Sequence, residues 1–107
     1  AASGKYWWLD VETVNSWNGS TAANGEAVLG YLDALRSLGA GGVGIYSTSY
    51  QWSTITGGRQ FAGVPNWVAG ARNARDAAQR CGSSFAGGPV WLVQYVAQGV
   101  DTNYVCR

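Results

Sequence analysis

Short apolar runs alternate along this chain with amphipathic stretches bounded by glycine and polar residues. The first run, residues 6–11, is aromatic and β-branched, which predicts a buried strand. Glycines within the run at residues 42–47 favour close packing against a neighbouring element. Comparable runs predict further strands at residues 42–47, 65–69, 89–96 and 100–105.

Three helices are predicted between these strands. Residues 25–38 form an amphipathic pattern, because apolar side chains recur every three or four positions. Asn24 is the predicted N-cap of this helix, and Gly39 is predicted to follow its end. Two shorter helices are predicted at residues 49–55 and 73–80. Apolar strands that alternate with helices indicate an α/β fold with a mostly parallel, helix-covered sheet.

Length and charge narrow the class of protein. The 107 residues suit a single domain, residues 1–107. Seven basic and six acidic residues leave a net charge of +1, without the basic patch of a nucleic-acid-binding protein. No run approaches the ~20 apolar residues of a membrane span. We therefore expect neither a nucleic acid nor a membrane as partner.

The two cysteines bear on the redox compartment of the protein, and the absence of histidine limits its chemistry. Cys81 and Cys106 are the two cysteines, and the chain has no histidine. An even cysteine count favours one disulfide and a secreted or extracellular protein, with two free thiols as the alternative. Ser-His and Cys-His nucleophile pairs are excluded, and a zinc site is not expected. The sequence suggests no other metal and no cofactor.

Two carboxylates follow one another closely at the end of the first predicted strand. Asp10 and Glu12 lie two residues apart, so they point to the same side of that strand. Two neighbouring carboxylates resist ionising together, which raises one pKa. This arrangement is used for acid–base hydrolysis of glycosidic bonds. The alternative is a solvated strand end without chemistry.

Five segments in order resemble the glycoside hydrolase family 25 lysozymes and related glycoside-hydrolase-like domains of secreted bacterial proteins. The resemblance covers almost the whole chain but only the second half of the family's domain. The segments are WLDVE at residues 8–12, GIYS at 44–47, NWVA at 66–69, WLVQY at 91–95 and GVDTN at 99–103.

The resemblance implies half of a (β/α)8 TIM-type barrel, with four to five mostly parallel strands and covering helices. It also implies hydrolysis of the β-1,4 link between the aminosugars of peptidoglycan. By the family pattern, Glu12 is similar to the proton donor and Asp10 to its partner. The other implied site residues are the groove-facing Tyr46, Trp67, Gln94 and Tyr95 and the late acidic Asp101.

These groove residues have simpler alternatives. Tyr46 and Trp67 lie on apolar strands and could belong to the core, and Asp101 could shape a turn. Gln94 interrupts an apolar run, and a buried amide needs partners, so we expect it to face a polar site.

A full barrel of this type needs about 250 residues and eight strands. An open half-barrel would expose two edge strands, so we expect a homodimer that covers them. The alternative is a compact α/β sandwich with loop-covered edges. The expected function is a glycan hydrolase. The alternatives are an inactive carbohydrate-binding module and a structural fragment of a longer chain.

Overall fold

The computed structural model describes residues 4–106, so residues 1–3 and 107 of the predicted domain lie outside the described range. These residues form five strands, three helices and one 3₁₀ turn. The strands are β1 (Tyr6–Asp10), β2 (Gly42–Ser47), β3 (Asn66–Ala71), β4 (Val90–Ala97) and β5 (Val100–Val105). The helices are α1 (Thr21–Ser37), α2 (Ser49–Thr56) and α3 (Ala74–Gln79), and the 3₁₀ turn is Arg80–Gly82.

The five strands form a single sheet in the order β1-β2-β3-β4-β5. The first four strands are parallel, and β5 returns antiparallel beside β4. The predicted α/β half-barrel is therefore confirmed. The second and fifth strands have their predicted bounds, the first ends one residue earlier than predicted, and β3 and β4 differ by one or two residues at both ends.

The start of α1 corrects one prediction. This helix begins four residues earlier than predicted, and its N-cap is Ser20, whose Oγ accepts a hydrogen bond from Ala23 N at 3.2 Å. Asn24 instead lies buried inside the helix, where its Nδ2 donates to Ile55 O at 2.9 Å. Asn24, whose residue type suits a cap, thus lies within the helix and is bonded to a residue that is distant in sequence.

The hydrophobic core lies between the convex face of the sheet and the helices. Trp52 of α2 is almost fully buried and contacts the rings of Phe61 and Phe85. The fully buried aliphatic side chains come from the helices, the sheet and the residue after β1. The larger ones are Val11, Val28, Leu32, Ile45 and Val93.

Two glycines of β2 allow aromatic rings to lie across the opposite, concave face. A Cβ atom at Gly42 would meet the ring of Tyr6, and one at Gly44 would meet the ring of Trp8. The close packing predicted for these glycines is confirmed, and its cause is the pair of β1 rings that cover them.

The curl of the sheet is visible in contacts between β1 and β4. Three strand spacings would separate these strands by about 14 Å in a flat sheet. The rings of Tyr6 and Trp91 nevertheless approach to 5.3 Å between centroids, and those of Trp8 and Trp91 to 6.3 Å. Aromatic side chains therefore fill the space inside the half-barrel.

A disulfide closes the C-terminal part of the chain. Cys81, in the 3₁₀ turn, is bonded to Cys106, directly after β5, as predicted. The backbone N–H of Cys106 also donates to Trp91 O at 2.9 Å, which extends the pairing of β5 with β4. Within residues 4–106, no helix combines the length and apolarity that crossing a bilayer requires.

Candidate functional site

The carboxylate pair lies where β1 ends beside β2. Asp10 is the last residue of β1 and is in register with Tyr46 of β2. Val11, the next residue, is fully buried in the core, and its N–H donates to Tyr46 O at 2.9 Å. Because Val11 points into the core, Asp10 and Glu12 project from the other side.

Asp10 and Glu12 are close enough to interact directly. Hydrogen bonding with the side chain of Asp10 is the main cause that raises the pKa of Glu12. Partial burial and the charge of Asp10 raise the pKa of Glu12 further. A carboxyl group that retains its proton beside an ionised one can act as a general acid.

The loop after β1 is fixed around these carboxylates by side chains. The indole Nε1 of Trp17 donates to Glu12 O at 2.9 Å. The amide Nδ2 of Asn15 donates to Asp10 O at 3.1 Å. Both bonds hold the backbone of the acidic residues, so they restrict the directions in which the carboxylates point.

Tyr46 connects the carboxylates to β4. Its hydroxyl group donates a hydrogen bond of 2.6 Å to Gln94 Oε1. Burial raises the pKa of Tyr46, and the negative charges of Glu12, Asp10 and Asp101 raise it further. Tyr46 is therefore a neutral phenol at physiological pH and can donate a hydrogen bond. The charges of all three acidic side chains favour this neutral form.

Trp67 forms the next part of the site. Its ring meets Tyr46 edge-on at 4.8 Å and Trp8 at 5.6 Å between centroids. Its Nε1 donates to Asn103 Oδ1 of β5 at 2.8 Å. A cavity of about 220 Å³ lies among these side chains, and its lining residues are Trp8, Asp10, Tyr46, Trp67 and Gln94.

Two irregularities in the pairing of β3 with β4 shape this surface. Between the pairs Asn66–Val90 and Trp67–Leu92, β4 contains one extra residue, Trp91. Further along, β3 contains an extra residue around Gly70, which has a φ of 89°. Such bulges redirect side chains. The first one accompanies the contact of Trp91 with the aromatic rings of β1.

A second cavity has different chemistry. It measures about 350 Å³ and lies between the start of α2 and the 3₁₀ turn. Its lining includes Thr48, Arg80 and Ser83 but no carboxylate. Of these two cavities, the smaller one is lined by a carboxylate, that of Asp10, whereas Glu12 is not among its lining residues. Within residues 4–106, no three acidic or cysteine side chains are grouped closely enough to hold a metal ion.

The structure brings together most of the side chains singled out from the sequence. Asp10, Tyr46, Trp67 and Gln94 line the cavity, and Asp101 acts on Tyr46 through its charge. Tyr95 does not join them. It follows Gln94 on the strand, so it points to the opposite face and packs against the hydrophobic core.

Two residues of this site were missed from the sequence. Trp8 alternates with Asp10 on β1, and Asn103 alternates with Asp101 on β5. The two-residue period of a strand could have identified both, because each lies on the same face as a residue already singled out.

Comparisons with known proteins agree with this geometry. A model of the family described as Lysozyme-like protein 1 matches residues 3–81. Probable GH family 25 lysozyme 5 of Dictyostelium discoideum is 32% identical over 115 residues, covering 91% of this chain and 48% of that protein. Probable GH family 25 lysozyme 4 of the same organism is 38% identical over 66 residues, covering 58% of this chain and 29% of that protein.

The chain thus spans about half the length, or less, of these curated relatives. No significant match to a solved structure was found. The family match covers most of the chain, including β1, the carboxylate pair, β2 and β3. The chain therefore belongs to the lysozyme-like family and forms a GH25-type lysozyme-like domain.

Proposed function

We propose that this domain hydrolyses a peptidoglycan-type glycan, with Glu12 as the general acid and Asp10 as its partner. The observation that supports this proposal is the position of the carboxyl pair: Val11 between them points into the core, Asp10 lines the aromatic cavity, and the interaction with Asp10 raises the pKa of Glu12. Its raised pKa keeps a larger share of Glu12 protonated in weakly acidic solution, where it can donate to a leaving oxygen.

The chemical step uses the two carboxyl groups differently. Glu12 donates its proton to the glycosidic oxygen as the bond to the sugar breaks. Asp10, as carboxylate, stabilises the positive charge that develops on the sugar ring. General acid catalysis of this kind contributes roughly 10²- to 10⁴-fold to the rate.

The aromatic cavity provides the substrate contacts in this proposal. The apolar faces of a sugar ring pack against Trp8 and Trp67, as sugars do against indole rings. The amide of Gln94, held by Tyr46, supplies a hydrogen-bonding group for a sugar hydroxyl.

We propose that residues 1–107 form one half-barrel domain and that two copies of this domain assemble. Among the described residues, β1 and β5 are the edges of the sheet, and each pairs with one neighbouring strand. An edge strand such as β5 can pair with a strand of a second copy. Light scattering over a range of concentrations tests this, and a monomer at the highest concentration would contradict it.

The disulfide supports an extracellular location for this domain. A bond between Cys81 and Cys106 persists in oxidising surroundings. We place the domain outside the cell, where a cell-wall glycan is accessible.

Hydrolysis of peptidoglycan and of chitin oligomers tests the proposed activity. We expect Glu12→Gln to reduce hydrolysis at least 100-fold. The matched control is Glu26→Gln, because Glu26 lies on α1, is exposed and forms a surface ion pair with Arg59. The control should retain wild-type activity. Equal hydrolysis by Glu12→Gln and the wild type would overturn the assignment of the acid.

A second candidate function is a carbohydrate-binding module without turnover. It is supported by the cavity lining, since Trp8, Tyr46 and Trp67 can bind a sugar without any proton transfer. In that case the wild type and Glu12→Gln would bind chitin oligomers equally, and neither would hydrolyse them.

A further inference from the structure

We propose that Asn103 is a positioning residue for glycan binding, which it supports by fixing the ring of Trp67 as a wall of the cavity. The bond between Trp67 Nε1 and Asn103 Oδ1 measures 2.8 Å and carries this inference. The inference rests on the proposed function, because the ligand is the same glycan.

The bond between these two residues crosses the sheet. Trp67 lies on β3 and Asn103 on β5, with β4 between them. Asn103 is in register with Gln94 of β4. The two outer strands are about 10 Å apart, so the long indole ring must lie over β4 for its N–H to reach Asn103.

Side chains of neighbouring strands hold the ring of Trp67 in place. Tyr46 meets its ring edge-on, and the hydroxyl group of Tyr46 is bonded to Gln94. Asn103, the register partner of Gln94, holds the indole N–H. The ring is therefore constrained by aromatic contacts with Tyr46 of β2 and Trp8 of β1 and by a hydrogen bond from β5.

A fixed ring matters because Trp67 lines an open cavity. A sugar that stacks on a mobile indole must immobilise it, which weakens binding, whereas a ring already in place avoids that cost. Asn103 makes no contact with the cavity in this scheme and acts only through Trp67.

Asn103 is exposed on β5, a strand that pairs with β4 along its whole length. Most side chains of β5 are exposed, and this strand is held by its pairing with β4 and by the disulfide at Cys106. A change at Asn103 can therefore release Trp67 without disturbing the core.

The test compares three variants of β5 by two measurements and uses a fourth variant, Trp67→Phe, for signal assignment. Asn103→Leu removes the acceptor, and Asn103→Asp keeps an acceptor oxygen at the same distance from the backbone. Thr102→Val is the control, because Thr102 points to the other face of β5. The first measurement is the indole N–H signal of Trp67 in NMR spectra without ligand, assigned by its loss in Trp67→Phe. The second is the affinity for chitin oligomers by calorimetry.

We expect Asn103→Leu to shift the indole signal of Trp67, to speed its hydrogen exchange and to weaken oligomer binding ~3- to 10-fold. Asn103→Asp should restore the slow exchange and the affinity, and Thr102→Val should change neither. An unchanged indole signal in Asn103→Leu, or a changed signal with unchanged affinity, would overturn the role of Asn103. A wild-type protein that binds no oligomer would overturn the proposed function itself, and with it this inference.

Discussion

The hydroxyl group of Tyr46 donates a 2.6 Å hydrogen bond to Oε1 of Gln94, across the strand that separates them. This bond orients the amide of Gln94 at the cavity, leaving its NH₂ group available to a ligand. It also connects the carboxylates to the aromatic side chains of the cavity, since the negative charges of Glu12, Asp10 and Asp101 raise the pKa of Tyr46.

Removing the Tyr46 hydroxyl should weaken glycan binding. In Tyr46→Phe the ring stays against Trp67, but the amide of Gln94 loses its fixed orientation. We expect a loss of about 1 kcal/mol, or roughly fivefold in affinity for chitin oligomers by calorimetry. The control is Tyr50→Phe, because Tyr50 is 77% exposed on α2. Equal affinities of Tyr46→Phe and the wild type would contradict this role.

The pH dependence of Glu12 should respond to Asp10. The hydrogen bond to Asp10, partial burial and the charge of Asp10 all raise the pKa of Glu12 above 4.5. Activity that needs protonated Glu12 therefore falls as pH rises through this raised value. In Asp10→Asn the negative charge is gone and the new amide can donate to Glu12, so its pKa should fall.

The carboxyl ¹³C signal of Glu12, followed by NMR as pH is raised, measures this change without requiring activity. We expect the midpoint to move to lower pH in Asp10→Asn. Asp33→Asn, on the exposed surface of α1, is the control and should leave the midpoint in place. A midpoint that is the same in Asp10→Asn and the wild type would show that the two carboxyl groups do not interact.

Two glycine-to-alanine changes should have opposite effects on stability. At Gly44 a new Cβ would meet the ring of Trp8 and would lie 3.0 Å from Pro65 O, so one of them must move. We expect Gly44→Ala to lower the free energy of unfolding by about 1–3 kcal/mol. At Gly30, on α1, no atom lies within 4 Å of the new Cβ. Gly30→Ala should raise the free energy of unfolding by about 0.5–1 kcal/mol.

Urea unfolding of the two alanine variants and the wild type measures both changes. Gly44→Ala should also weaken oligomer binding, because the displaced Trp8 lines the cavity. If both variants were stabilised, the contact between β2 and the ring of Trp8 would not be as close as described.

Removing the disulfide should destabilise the fold and affect β5 first. The bond joins residues separated by 25 positions, and a loop of that size predicts about 3 kcal/mol of stabilisation. We expect Cys81→Ala/Cys106→Ala to lose about that much in urea unfolding. Hydrogen exchange should speed up most at the amides of β5, since pairing with β4 then holds this strand alone. If hydrogen exchange became equally faster over the whole sheet, the disulfide would not act locally on β5.

Local patterns determined a large part of this fold. The bounds of β2 and β5 follow from short segments with β-branched and aromatic residues that each come directly after a glycine, because strand formation there agrees with the local composition. The common direction of Asp10 and Glu12 follows from the two-residue period of a strand. Five short segments in order were enough to identify the lysozyme-like family.

Only the tertiary structure decided the remaining features, because each depends on residues distant in sequence. Asn24, whose type suits a cap, is a buried helix residue whose amide bonds Ile55 O as well as the nearby Asn18. Tyr95 faces the core, which the resemblance alone did not indicate. Asn103 reaches Trp67 across β4, and such a contact exists only once three strands have paired in register. A pattern along the chain reports which face a side chain takes, whereas the partner on that face is set by how the strands come together.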